Sequence, residues 1–96
     1  MLEQYSRASE IRRIRLGLIG AITAVNIKAD GTSRQQQRDY EEGGRKVLED
    51  LSNPESKINR IYPRLLEKHG ETIEKAKSKY PTLESRDYLL NLMYIV

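Results

Sequence analysis

Between Asn53 and Tyr80 the apolar positions hold one helical phase for about seven turns, which excludes most folds for this part of the chain. Ile58, Ile61, Tyr62, Leu65, Leu66, His69, Ile73, Ala76 and Tyr80 recur at steps of three and four and so share one helix face. A half-buried strand needs alternation at steps of two, and no segment of the chain shows it convincingly. Asn53 suits the cap of such a helix. Pro54 suits its first turn, where a missing N–H costs nothing. Pro63 cannot donate to Asn59, so a bend is expected there. Gly70 is a second weak point, but the phase continues across it, which favours one kinked helix over two.

Three turn signals, Ala29-Asp30-Gly31, Ser52-Asn53-Pro54 and Tyr80-Pro81-Thr82, divide the chain into four helical parts. The first is expected from about Ser6 or Ser9 to Lys28, with Ile11, Ile14, Leu18, Ile22 and Val25 on one face. Leu16, Ile19 and Ile27 make the opposite face apolar too, so burial on most sides is expected there. Gly17 and Gly20 would let another helix approach closely. The second part opens near Thr32 or Ser33, each three residues ahead of a glutamine as in a capping box. It carries a thin stripe of Tyr40, Val47, Leu48 and Leu51, with Gly43-Gly44 as either a break or a close packing point. The fourth begins at Thr82 and stays apolar through Leu92, Tyr94, Ile95 and Val96. Chain ends are usually polar and frayed, so this segment is expected in the core or on another chain. The fold class expected is therefore all-α: a small four-helix, mostly antiparallel bundle with a kinked third helix, formed by 1–96 as a single domain.

Composition narrows the chemistry. Apolar residues are 38% of 96, enough for one core and no second. The absence of Cys removes disulfides and thiol nucleophiles and is compatible with a reducing compartment. The apolar run from Leu16 to Val25 is half the length of about 20 residues that a membrane span needs. The first residues do not read as a signal peptide. A cytoplasmic location and no membrane partner are expected.

No catalytic or cofactor pattern stands out. One His without Cys cannot form a zinc set. Neither a phosphate loop nor a dinucleotide-binding glycine pattern is present. Glu67, Glu71 and Glu74 share a helix face that reads as solvated, and His69 sits in phase with the apolar face. No cofactor, no metal and no enzymatic activity are expected.

Charge is the more informative pattern. At 100° per residue, Lys57, Arg60, Arg64, Lys68, Lys75 and Lys79 fall in one stripe beside the apolar face, interrupted by Glu71. A second cluster, Arg7, Arg12, Arg13 and Arg15, precedes the apolar part of the first helix, with Arg12 and Arg13 pointing away from its apolar face. The residues expected to meet a partner are Arg12, Arg13, Lys57, Arg60, Arg64 and Lys68. Leu92, Tyr94 and Ile95 are the expected apolar anchors.

In size, charge and helix count the chain is similar to bacteriocin immunity proteins and many phage-encoded regulators, a likeness of architecture that carries no residue across. One functional reading is a small adaptor or inhibitor that binds another, acidic protein, with a homo-oligomer through the C-terminal segment as a further option. The other is an accessory nucleic-acid-binding protein that tracks phosphates with the basic stripe. The net charge of +3 is low for the second.

Overall fold

The computed structural model describes the backbone of residues 2–31 and 34–96 and the side chains of 7–31 and 35–96. The described residues form five helices and no strand: α1 (Leu2–Asp30), α2 (Arg34–Ser52), α3 (Lys57–Ile61), α4 (Arg64–Lys79) and α5 (Ser85–Ile95). The all-α class follows from the three-and-four spacing of the apolar residues. None of these helices is long and apolar enough to cross a membrane.

α1 is helical from Leu2, earlier than expected, and its 29 residues account for the 44 Å long axis of the molecule at about 1.5 Å per residue. It stops at Gly31, whose φ of 71° lies in the left-handed region, and the Gly31 N–H closes the helix on the Ile27 carbonyl at 3.0 Å. The expected capping boxes at Thr32 and Ser33 lie outside the described residues.

α2 runs back along α1, as three pairings show. Arg13 bonds Asp50, Gly17 faces Val47, and Ala21 faces Gly44. The glycines are the close packing points and α2 is unbroken through Gly43-Gly44. A Cβ on Gly17 would lie 2.9 Å from Val47 Cβ, and one on Gly44 would lie 2.6 Å from Ala21 Cβ. α5 runs back along another side of α1, because Arg86 donates to Asn26 Oδ1 at one end and Arg15 to the Val96 backbone oxygen at the other. α4 packs on α2 and α5. The core they share includes Ile14, Leu18, Leu48, Leu51, Ile58, Leu65, Ile73, Leu89 and Leu92, all fully buried.

Two expectations are corrected. The third helix is not continuous: it divides at Tyr62 (φ −136°, ψ 69°), just before Pro63, into α3 and α4. Proline disfavours the helical conformation for its predecessor and removes the hydrogen bond to Asn59, so the chain breaks where a bend is expected. A second irregularity falls at His69 (φ −124°, ψ 15°), beside Gly70. The second correction concerns α1. Leu16 and Ile19 remain 60% and 47% exposed. Among the described residues, α2, α3 and α5 pack on α1, and none of them covers the face that carries Leu16 and Ile19.

The α2–α3 corner is held by Asn59, only 6% exposed. Its Nδ2 donates to the carbonyls of Leu51 at 2.9 Å and Asn53 at 2.8 Å. Ser56 Oγ adds a bond to the Asp50 carbonyl at 2.6 Å. The Asp50 and Leu51 carbonyls, in the last turn of α2 where helical N–H partners run out, are thereby satisfied.

Candidate protein-interaction surfaces

The arginine cluster of α1 divides once the helices are packed. Arg13 Nε and Nη2 donate to the two carboxylate oxygens of Glu10 at 2.7 and 2.8 Å, and Nη2 also reaches Asp50 Oδ2 at 2.9 Å. Glu10 is 4% exposed. The Arg13 hydrogen bonds hold its carboxyl below the ordinary glutamate value of 4.5, against the opposing effect of burial, and Lys57 is near enough to lower it further. Arg13 thus ties α1 to α2 and is engaged within the fold, with its side chain 45% exposed. Two residues apart on a helix is 200°, so Arg12 points away from Glu10 and from Lys57, and it is exposed.

This pairing sets one pH response. A carboxylate whose folded-state pKa is depressed stabilises fully above its unfolded value, and that contribution is lost as pH falls through the folded-state value. Glu10→Gln should therefore lower stability by about 1 kcal/mol at about pH 7, discounted for the half-exposed arginine, and by much less at about pH 2. Thermal unfolding across that range checks it. Parallel curves for the two chains would show that the Glu10 charge does not stabilise the fold.

The basic stripe is also interrupted. The break at Tyr62 separates Lys57 and Arg60 on α3 from Arg64 and Lys68 on α4, and the turn at His69 separates both pairs from Lys75 and Lys79. Lys75 pairs with Glu71 at 3.4 Å and Lys79 with Glu84 at 3.0 Å. Lys57, Arg60, Arg64 and Lys68 are exposed, and none has an ion-pair partner among the described residues.

The three apolar anchors part company on α5. Leu92 is fully buried, so it belongs to the core and offers nothing to a partner. Ile95 is half-buried against the core. Tyr94 is 89% exposed. Ser85, Leu89, Leu92 and Val96 face inward at helical spacing, and that spacing was available in the sequence.

No protein-family model matches this sequence, and no curated protein or solved structure is significantly similar to it. The surface itself is then the guide to function. Among the described residues no three His, Asp or Glu side chains cluster as metal ligands. The buried ionisable side chains serve the fold. Glu10 is paired, and the Tyr80 hydroxyl, its pKa pushed up mainly by burial, donates to the Glu41 carbonyl at 2.8 Å beneath the Arg45 guanidinium.

One surface was not read from the sequence. A groove of about 370 Å³ lies between α1 and α2, walled by Leu16, Ile19 and Thr23 on one side and Asp39, Tyr40 and Gly43 on the other, with Gly17 and Gly20 at its base. The apolar character of Leu16 and Ile19 is legible in the sequence, but spacing alone points to burial within the chain. Tyr40 was expected on the inner stripe of α2 and instead stands partly exposed at the groove's edge.

Proposed function

We propose that this chain is a small non-enzymatic binding protein, an adaptor or inhibitor acting in the cytoplasm, that docks on an acidic protein through Lys57, Arg60, Arg64 and Lys68. One observation carries the reading: these four cations are exposed and lack ion-pair partners among the described residues, whereas their neighbours Arg13, Lys75 and Lys79 are neutralised within the fold. Cations held on helices, with no intramolecular partner to displace, accelerate encounter with an acidic surface and orient it. The short connections between helices favour an antiparallel bundle, which keeps this face rigid. Tyr94 is the apolar side chain best placed to add contact area, because it is the most exposed large one.

An acidic protein fits better than a nucleic acid. The division at Tyr62 leaves two short pairs of cations in place of one continuous track for a phosphate backbone. The test is capture from the native host with the wild-type chain and with the Arg60→Glu, Arg64→Glu double variant. A stoichiometric acidic protein retained only by the wild type, and released as salt rises, is the expected result. Retention by both chains would remove the basic face from the reading. Mobility of DNA and RNA at ~50 mM salt should be unchanged. A shift whose log affinity falls with log salt at a slope near about −3.6, the value for about four phosphates, would favour nucleic acid.

A further inference from the structure

We propose that the hollow between the first half of α1 and the end of α5 binds a small organic anion, a carboxylate or phosphate monoester that carries an apolar body. The hollow holds about 390 Å³ and is lined by Ala8, Ile11, Arg12, Arg15 and Val96. That volume lies in the range of small-molecule sites. The lining joins the two chemistries such a ligand requires, a pair of guanidiniums and an apolar wall of Ala8, Ile11 and Val96. No acidic side chain lines it.

The helix neighbours of the two arginines leave their charges for a ligand. Elsewhere in the fold a cation finds an acid three or four residues away: Arg13 has Glu10, Arg45 has Glu41 and Lys75 has Glu71. At those distances Arg12 has Ala8, Ser9, Arg15 and Leu16. Arg15 has Ile11, Arg12, Leu18 and Ile19. Each arginine is therefore the other's charged neighbour on one helix face, where like charges repel. Neither has an ion-pair partner among the described residues. Arg15 Nη2 donates to the Val96 backbone oxygen at 2.9 Å, which steadies its guanidinium at the hollow's edge and leaves its remaining donors for an anion. A carboxylate or phosphate accepts two parallel hydrogen bonds from a guanidinium, and its charge relieves the repulsion between Arg12 and Arg15. Inorganic phosphate would leave the apolar wall in water, whereas an apolar body covers it. Arg12 points away from Lys57, so the hollow is separate from the Lys57–Lys68 face and this inference stands apart from the reading above.

Calorimetric titration of the full chain with hexanoate, hexyl phosphate, inorganic phosphate and neutral hexanol tests the site at ~150 mM salt, where loose surface attraction is screened. Hexanoate and hexyl phosphate should bind with unit stoichiometry, inorganic phosphate at least about tenfold more weakly, and hexanol not at all. Arg12→Gln should weaken hexanoate binding at least about tenfold. Ala8→Glu places an acid four residues before Arg12 at an exposed position. It should keep the helical circular dichroism and weaken binding at least about tenfold, because the new carboxylate takes the ligand's place beside Arg12. The Arg60→Glu, Arg64→Glu chain should bind hexanoate like the wild type. Phosphatidylserine vesicles distinguish the source of the anion. Vesicles that retain the wild type and release Arg12→Gln support the site with a lipid headgroup as its ligand. Vesicles that retain neither chain, beside intact hexanoate binding, support it with a free molecule. Absence of heat with both organic anions overturns the proposal. So does hexanol binding as well as hexanoate, hexanoate binding that survives Arg12→Gln or Ala8→Glu, or binding that is lost in the Arg60→Glu, Arg64→Glu chain.

Discussion

Asn59→Asp should be the most damaging single-atom-scale change in this protein, lowering stability by about 4 kcal/mol at neutral pH, a large share of what a chain of this size possesses. The amide nitrogen of Asn59 donates to the carbonyls that close α2 and begin the turn into α3. A carboxylate placed there loses both donors and sets a buried negative charge against oxygens at the negative end of the α2 dipole. The carboxyl must take up a proton on folding, so its folded-state pKa is raised above the unfolded value of about 3.9. For such a group the stability is present below the unfolded pKa and is lost as pH rises through the folded one. The deficit relative to wild type should therefore shrink as the pH is lowered, since a protonated carboxyl regains one donor. Asn59→Leu, of similar volume, should lose about 2 to 3 kcal/mol with no comparable pH dependence. Urea unfolding of the three chains at several pH values measures this. An aspartate variant within about 1 kcal/mol of wild type at neutral pH would show that this corner does not hold the fold.

Adjacent glycines in α2 should respond with opposite signs. A methyl on Gly44 would press on Ala21 Cβ at 2.6 Å and Ala21 Cα at 2.8 Å, with the Tyr80 hydroxyl also in its way. The backbone of α1 would have to retreat. Gly44→Ala should cost about 2 kcal/mol even after the gain in helix propensity. A methyl on Gly43 meets nothing within 4 Å, so Gly43→Ala should raise stability by about 0.5 to 1 kcal/mol through propensity alone. Equal effects of either sign would mean that α1 and α2 are not in contact at Gly44.

The same pair shows where sequence reasoning ran out. Gly43-Gly44 was visibly either a break or a contact, and nothing local separates the two. Gly44 is a contact because Ala21 and Tyr80 arrive there from distant parts of the chain. Arg13 is similar. Its pairing with Glu10 is a matter of helical spacing and could be anticipated, whereas Asp50 is brought to it by the packing of α2. The Tyr62–Pro63 division was half legible. The proline was plain, but the continuous apolar phase around it concealed a full break.

Local spacing alone specified helices throughout and the three turn positions that fall between α1 and α2, α2 and α3, and α4 and α5. These depend on side chains a few residues apart, and the backbone responds to them wherever the segment lies. Coverage is a property of neighbours, and it was settled by the packed molecule. Leu92 is inside and Tyr94 outside, Arg13 is spent on an internal pair while Arg12 is not, and Leu16 and Ile19 face solvent beside Tyr40. An apolar stripe declares that it needs a partner. Whether that partner is another helix of the same chain depends on how many helices fit around α1, which no local pattern encodes.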